Sequence, residues 1–458
     1  MAEQVDVVVV GMGPGGEDAA GRLAEAGLAV VGVEERLVGG ECPYYGCIPS
    51  KMMIRAGNAL AEADRVDVLA GHADVRADWA PVAARIRDEA TDDWNDQAAV
   101  ERFVKKGGRL VRGTGRLAGP GRVVVTGGPG GSGPVELEAR LAVVVNTGTA
   151  PAIPPVEGLA GTPYWTNRQI LRATEAPASL LALGGGAIGV ELAQVFRRFG
   201  SAVTVVEAQD RLLAVEEPEA CELLARVFAA EGIEVRLGAR AQRVSHDGTA
   251  FTVTVGGEEL VAERLLVATG RRVDLDRLGV ASVGLDPTAR SIPTDERMRA
   301  GEKLYAIGDV VGRGAFTHVS MYHADIVVRE LLGEGGPGAD YRALSRVTFT
   351  DPEVGAVGLT EAQARQAGLR VLVGLAPLPE AARGWIHKAG NDGFIKLVAD
   401  ADRGVLVGAT SAGPMGGEVL SGLAVAVHGE VPVDRLRHMI YAYPTFHRAI
   451  ETALHRLA

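Results

Sequence analysis

The chain has only three cysteines in 458 residues, too few for a disulfide-stapled secreted scaffold. No apolar run approaches the ~18 residues that a membrane helix needs, and no cluster of lysines and arginines occurs. The formal net charge is −11. This argues against nucleic acid and anionic membranes as partners, because both are bound through basic groups. After Met1-Ala2-Glu3-Gln4 the sequence goes directly into Val5-Asp6-Val7-Val8-Val9-Val10, without the basic flank and long apolar stretch of a secretory signal. The expectation is a cytoplasmic protein whose acidity serves solubility. Hydrophobic residues make up 47% and charged residues 23%, the composition of a folded chain. Its length calls for two to four domains.

Glycine, by contrast, is plentiful at 61 residues, and two glycine clusters sit in the same ordered context. Val5–Val10 reads as a buried strand, Gly11-Met12-Gly13-Pro14-Gly15-Gly16 as a glycine turn, and Asp18–Ala26 as a helix. Ala29–Val33 is then a second strand ending at Glu34. The same order recurs as Ser179–Leu183, Gly184-Gly185-Gly186-Ala187-Ile188-Gly189, Val190–Phe199 and Val203–Val206, ending at Glu207. Each acidic residue follows the first glycine of its turn by 23 positions. This is the grammar of a dinucleotide site. Gly11 and Gly184 permit the tight turn, Gly13 and Gly186 let backbone approach a pyrophosphate, and Gly16 and Gly189 let helix and strand pack closely. The helix N-terminus faces the phosphates, and the carboxylate accepts from a ribose. A carboxylate at Glu207 suits a free 2′-hydroxyl and repels a 2′-phosphate, which favours NADH over NADPH despite nearby Arg211.

Two of the cysteines, Cys42 and Cys47, lie in GGECPYYGCIPSK (39–51). Such a close pair in a chain of this kind points to redox or metal chemistry before a structural bridge. No further metal ligands lie nearby in the sequence, so no metal site is expected.

The other segments are read more coarsely. An amphipathic stretch runs from Lys51 to about Val66, and residues 81–106 read as one surface helix. Thr126–Pro134 is a hairpin loop between strands at Arg122–Val125 and Val135–Glu138. Leu141–Val145 is a separate buried strand leading to Asn146-Thr147-Gly148. Glu191 reads as a solvated helix position. Leu265–Val267 precedes Ala268-Thr269-Gly270-Arg271, and Leu304–Ile307 precedes Gly308-Asp309. From about Ser345 the pattern becomes α+β with no third glycine motif, which suits a role in association.

Together these motifs resemble the flavoprotein disulfide reductases, the family of dihydrolipoamide dehydrogenase, glutathione reductase and mercuric reductase. The likeness rests on GGECPYYGCIPSK, the two glycine units, ATGR at 268–271, YAIGDV at 305–310 and FTDPEVGAVGLTEAQA at 349–364. It implies an α/β fold with two Rossmann-like dinucleotide-binding domains and a C-terminal α+β dimerisation domain. The implied divisions are 1–153 for the first part of an FAD-binding domain, 154–275 for an NAD(P)-binding domain, 276–344 for the second FAD part, and 345–458 for the interface domain.

The resemblance also implies roles. Gly11, Gly13, Gly16 and Glu34 would hold the ADP half of FAD, while Gly115, Thr147 and Gly148 line the flavin site. Asp309 would meet the ribityl chain and Thr317 the isoalloxazine. Lys51 would sit near the flavin and pair with Glu191. Gly184, Gly186, Gly189 and Glu207 would bind the nicotinamide nucleotide, with Gly270 closing over it. Cys47 would be the thiol against the flavin and Cys42 the interchange thiol. Electrons would pass from NADH through flavin to the Cys42–Cys47 disulfide and on to a small-molecule acceptor, in a homodimer whose active site is shared between subunits. The thiolate is the reactive form, and its usual pKa of ~8.5 must fall for work near neutral pH.

The family pattern breaks at the C-terminus. Where it has His-Pro-x-x-x-Glu, a base oriented by a carboxylate, this chain has Tyr443, Pro444 and Arg448. Tyrosine, with a pKa near ~10, is a poor base at neutral pH, and arginine cannot shuttle a proton. His447, next to Arg448, is a candidate replacement, as are His318 and His323. The favoured expectation is therefore a non-standard acceptor: a metal ion, a quinone, or a disulfide whose thiolate leaves unaided. Its recognition would involve Pro43, Tyr44 and Tyr45. A dihydrolipoamide dehydrogenase subunit of a 2-oxoacid dehydrogenase complex, or a low-turnover redox sensor, are the alternatives.

Overall fold

A computed structural model describes residues 2–128 and 133–458. The chain divides into two compact units. The first contains Met1–Pro49, Ala84–Ala152 and Arg271–Asp340, and the second Ser50–Ala83, Ile153–Gly270 and Tyr341–Ala458.

The first unit is built on an eight-stranded sheet. Its main path runs Arg299–Gly301, Leu304–Ala306, Val135–Val145, Glu3–Val10, Val30–Glu34 and Arg109–Arg112. From Leu304–Ala306 to Arg109–Arg112 the successive neighbours pair in parallel, while Arg299–Gly301 pairs antiparallel with Leu304–Ala306. The apolar run at the N-terminus has the composition of a strand covered on both faces, and it is one. Val5, Val8 and Val10 enter one core with Val31 and Val33, while Val7 and Val9 enter another with Val30. Burying each such side chain contributes about 2 kcal/mol.

The sequence reading of two strands, Val135–Glu138 and Leu141–Val145, is corrected here: Val135–Val145 is a single strand. Its first residues pair antiparallel with Arg122–Thr126, while the strand also pairs in parallel with Glu3–Val10 and, near its end, with Leu304–Ala306. Glu138 to Leu141 reads as polar because that stretch is partly exposed, not because the strand stops. Most of the anticipated hairpin loop, residues 129–132, lies outside the described residues.

The expected helix over 81–106 is likewise broken in two. Ala80–Arg85 continues as a π-turn over Ile86–Ala90, and a separate helix covers Gln97–Lys105. Between them Asp92, Asp93 and Trp94 adopt positive φ. The Thr91 hydroxyl donates back to the Ile86 carbonyl at 2.9 Å and accepts from the Trp94 N–H at 3.2 Å, which ends the helix locally.

In the second unit a four-stranded parallel sheet has the order Glu234–Arg236, Ala202–Val206, Ser179–Leu183, Arg264–Val267. A three-stranded meander, Ala241–His246, Phe251–Val255 and Glu258–Ala262, is inserted before its last strand. The C-terminal region forms a five-stranded antiparallel sheet in the order Ser345–Thr348, Glu353–Gly358, Val405–Gly413, Phe394–Asp400, Val371–Pro377. The helices Gly416–His428 and Ala449–His455 share its core. Among the described residues no helix is long and apolar enough to cross a membrane.

Candidate active site

The two glycine turns have the same internal geometry. Gly11 has φ +94° and Gly184 φ +112°, values that disfavour any side chain. Both also lie against the end of a neighbouring strand. A Cβ on Gly11 would stand 2.4 Å from the Asn146 carbonyl oxygen, and one on Gly184 2.3 Å from that of Ala268. Gly16 and Gly189 press on the carbonyl oxygens of Gly11 and Gly184, leaving 2.1 and 1.9 Å for a Cβ. The helices begin at Pro14 and Ala187, earlier than the sequence suggested. Proline at a first helical position needs no N–H partner.

The acidic residues close each turn in the same way. Glu34 accepts from the Met12 N–H and the Arg36 N–H, both at 2.8 Å. Glu207 accepts from the Gly185 N–H at 2.5 Å and the Gln209 N–H at 2.7 Å. Burial pushes the Glu34 carboxyl above the ordinary range, against the pull of those two N–H groups. Asn146, which the sequence reading passed over, is a further support of the first turn. It is buried, donates to the Gly11 carbonyl at 3.2 Å, and accepts from the Ser320 hydroxyl at 3.1 Å.

The cysteine segment is two helices with a break at Gly46. Cys42 lies in Glu41–Tyr45, and Cys47 is the first residue of Cys47–Asp64. That helix starts four residues before the expected Lys51. Cys42 is half-buried and Cys47 exposed. The Thr317 hydroxyl, at the start of the helix Thr317–Leu331, lies 3.5 Å from the Cys47 sulfur. Trp94 and Asp96 support the segment from the helix break. The Trp94 indole donates to the Tyr44 carbonyl at 3.2 Å, and Asp96 accepts from the Val38 N–H at 2.6 Å. Tyr44 is buried, so of the three residues expected to shape acceptor access only Pro43 and Tyr45 retain exposed surface. Nothing in a linear sequence pairs Trp94 with Tyr44.

Asp309 follows the strand Leu304–Ala306 and accepts from the Thr149 hydroxyl at 2.8 Å. Burial raises its carboxyl above the ordinary range, opposed by the Thr149 bond and the Arg271 charge. Arg271 in turn holds Thr149 through its hydroxyl and carbonyl, both at 2.7 Å, and lies 3.4 Å from Glu41. Thr147 and Gly148 lie in the loop after Val135–Val145, Gly148 with φ +64°. Gly115 packs on Val10, where a Cβ would be 2.8 Å from its Cγ1. Gly270 has φ +120° and open space around its Cα.

In the second unit Lys51 and Glu191 meet at 2.8 Å. Glu191 is 5% exposed, so it is not the solvated position that the local pattern suggested but the partner of a half-buried Lys51, as the resemblance implies. Its other oxygen accepts from the Phe349 N–H at 2.8 Å.

The histidine candidates separate. His323 is fully buried and its Nδ1 accepts from the Gly308 N–H at 3.1 Å. Burial pushes its pKa down to about 4, so it is neutral near pH 7 and committed to the turn before Asp309. His318 stacks on Phe316 with centroids 5.2 Å apart. His447 and Arg448 share one 3₁₀ turn, Phe446–Arg448, and face different tyrosines. His447 is 6.1 Å from the Tyr441 ring, and the Arg448 guanidinium is 5.6 Å from the Tyr443 ring. Arg448 also donates to the Tyr441 carbonyl at 3.0 Å and pairs with Glu451 at 2.8 Å. The third cysteine, Cys221, is buried, and burial pushes its thiol up to about 11.

Residues 5–324 match the family model of the pyridine nucleotide-disulphide oxidoreductases, and residues 344–454 match the dimerisation domain of the same family. The chain belongs to this family. Its relatives include a dihydrolipoyl dehydrogenase of Halobacterium salinarum, 34% identical over 99% of this chain and 96% of that protein. A mercuric reductase of Acidithiobacillus ferrooxidans is 32% identical over 98% and 82% of the two chains. Among solved structures, the Cu(II) complex of the HOCl-induced flavoprotein disulfide reductase RclA from Escherichia coli aligns with a TM-score of 0.87. It shares 26% identity and covers 99% of each chain.

As a pyridine nucleotide-disulphide oxidoreductase, the protein is an FAD-dependent enzyme that uses NADH or NADPH and acts on a sulfur group. The match of residues 344–454 to the family's dimerisation domain supports a homodimer. The first glycine turn fits a bound dinucleotide: Gly11 and Gly16 let strand, turn and helix close tightly on one another at the start of the helix Pro14–Glu25, beside the partly buried carboxylate of Glu34. Among the described residues no group of three or more His, Cys, Asp or Glu is arranged to hold a metal ion.

Proposed function

We propose that the enzyme oxidises NADH and delivers the electron pair, through the Cys42–Cys47 pair, to an acceptor whose reduction needs no protein base. The observation that carries this reading is the place of the usual histidine–glutamate dyad. Tyr443 and Arg448 occupy it, with the guanidinium against the tyrosine ring and tied to Glu451. A tyrosine holds its proton at neutral pH, and an arginine paired in this way keeps its charge. Neither deprotonates a dithiol or protonates a departing thiolate.

The residues divide the work as follows. Gly11, Gly13, Gly16 and Glu34 hold the ADP half of FAD at a helix N-terminus. Gly115, Thr147, Gly148, Asp309 and Thr317 line the rest of that site. Gly184, Gly186, Gly189 and Glu207 bind the pyridine nucleotide, and Gly270 closes on it. Glu207 accepts from a 2′-hydroxyl and would repel a 2′-phosphate, hence the preference for NADH. Bound FAD supplies the capacity to accept hydride from a pyridine nucleotide and release the electron pair to a disulfide.

Cys47 is the flavin-side thiol. It opens a helix whose N-terminal partial charge favours the thiolate, and Thr317 is within reach to donate to its sulfur. Lys51, one turn further along the same helix, adds positive charge, and Glu191 fixes that lysine. Cys42 is the interchange thiol that meets the acceptor, at a site completed by Tyr443 of the partner subunit. A soft metal ion fits best: the two thiols can bind it directly, their protons passing to solvent, and become a disulfide as one Hg(II) takes both electrons or two Cu(II) take one each, so that no departing thiolate has to be protonated. The names of two relatives, mercuric reductase and the Cu(II) complex of RclA, agree with this class. Quinones and disulfides with a good leaving thiolate are the other members of the base-independent set.

An acceptor screen with NADH tests the reading, using Hg(II), Cu(II), quinones, oxidised glutathione and oxidised lipoamide, with dihydrolipoamide assayed separately against NAD+ and Cys42→Ser as control. The expected result is metal-ion or quinone turnover, with the metal activity lost in Cys42→Ser. Turnover of dihydrolipoamide by the parent enzyme equal to that of a Tyr443→His/Arg448→Glu variant would reject it in favour of a dihydrolipoamide dehydrogenase. Reduction by NADH with no acceptor faster than oxygen would point to a redox sensor.

A further inference from the structure

Phe349 lies in the turn between the strands Ser345–Thr348 and Glu353–Gly358, and it touches both members of the Lys51–Glu191 pair. Its N–H donates to one Glu191 oxygen at 2.8 Å, while the Lys51 ammonium takes the other at 2.8 Å. Its ring centroid is 4.7 Å from that ammonium. Two flanks of Lys51 are thus defined: the carboxylate from the helix Ala187–Arg198, and the ring from the turn.

The turn itself is pinned two residues on. The Gln194 side chain exchanges two hydrogen bonds with the Asp351 backbone, both at 2.8 Å. The Asp351 carboxylate accepts from Arg65 at 2.6 Å and Arg198 at 2.9 Å. Glu191, Gln194 and Arg198 are three and four residues apart and so share one helix face. Phe349 is therefore held in place independently of Lys51.

We propose that Phe349 is a positioning residue that fixes the Lys51 ammonium through its ring face and orients the Glu191 carboxylate through its N–H. A lysine stem has four rotatable carbons, and a single carboxylate contact leaves the head free to swing. A π-face within about 6 Å attracts an ammonium, and here it closes off one side. In this way the region matched by the dimerisation-domain model reaches the lysine expected at the flavin. The inference rests on the proposed role of Lys51 beside Cys47.

The test is the pH dependence of the long-wavelength thiolate-to-flavin charge-transfer absorbance in NADH-reduced holoenzyme, measured for the parent, Phe349→Leu and Phe349→Tyr. Leucine keeps apolar bulk without a π-face; tyrosine keeps the face. Phe349→Leu should move the half-point of the band upward by as much as about half a pH unit, because a less localised ammonium stabilises the thiolate less. Phe349→Tyr should match the parent.

An unshifted Phe349→Leu, or a Phe349→Tyr shifted equally, overturns the proposal. Should Phe349→Leu fail to retain flavin, Phe349→Met takes its place under the same criteria. Absence of the band in the parent would instead reject the Cys47 and Lys51 roles themselves, so the two failures are distinguishable.

Discussion

The two glycine turns are nearly superimposable in their bonds and differ in what surrounds them. Around the first, Gly40 presses on the Gly13 Cα, where its Cβ would be 2.7 Å away, and Ser320 leaves a Gly15 Cβ only 2.3 Å. Asn146 and the Thr317–Leu331 helix complete a wall. Around the second, a Cβ on Gly186 would meet nothing within 4 Å. The same local chemistry is enclosed in one copy and open in the other. An enclosed turn suits a group retained through every turnover, and an open one suits a coenzyme that must enter and leave each cycle. The difference lies in the surroundings of the motif, since both turns satisfy the same spacing rule.

The sharpest way to break this comparison is to fill each turn. Gly16→Ala places a Cβ on the Gly11 carbonyl and Gly189→Ala one on that of Gly184. Overpacking of this order costs about 1–3 kcal/mol, which, felt at the bound dinucleotide, is roughly five- to over a hundredfold in affinity. The expected outcome is asymmetric. Gly16→Ala purifies with little flavin, measured as the flavin-to-protein ratio. Gly189→Ala keeps its flavin but is reduced slowly by NADH in stopped-flow traces.

A second effect, about tenfold, concerns Glu207. Losing the hydrogen bond from the 2′-hydroxyl to a charged acceptor costs about 1.5–3 kcal/mol. Glu207→Ala should raise the KM for NADH about tenfold or more and leave that for NADPH nearly unchanged, so the ratio of the two kcat/KM values collapses.

The enclosed region should also carry a pH signature that the open one lacks. His323 titrates at about 4 in the folded protein and near ~6.5 unfolded. Between these values the unfolded chain binds more protons, so stability is full above about pH 6.5 and falls as pH drops toward 4. The total is at most about 3 kcal/mol. In His323→Gln, whose amide oxygen can still accept from Gly308, the unfolding midpoint should fall less steeply over that window. Equal slopes for the two proteins would remove His323 from the account. The smallest effect is at Cys221, whose thiol stays protonated near neutrality. Cys221→Ala should leave kcat and thiol-reagent inactivation unchanged.

What the sequence made legible follows the same division. Both glycine turns, their terminal glutamates and the cysteine motif are local patterns, and their elements lie where the pattern puts them within a few residues. The Lys51–Glu191 pair came from the family resemblance and not from the local pattern, which read Glu191 as solvated, because Lys51 and Phe349 are 140 and 158 positions away. Asn146 and the Trp94–Asp96 break were missed for the same reason: each is defined by a contact with Gly11, Tyr44 or Val38 across the fold. The merged strand Val135–Val145 misled the reading because its partly exposed middle mimics a turn. The Tyr443 and Arg448 replacement was visible in sequence, but the contact between the two was not.

The helix Cys47–Asp64 has one more consequence. Lys51 meets Glu191, Asn58 accepts from Arg198 at 2.7 Å, and Arg65, just past the helix end, reaches Asp351. These contacts recur at seven-residue steps, close to two full turns. The helix is therefore a ruler whose zero mark is the Cys47 thiol. Deleting one residue between Lys51 and Asn58 would rotate the thiol about 100° and draw it in about 1.5 Å against the marks beyond.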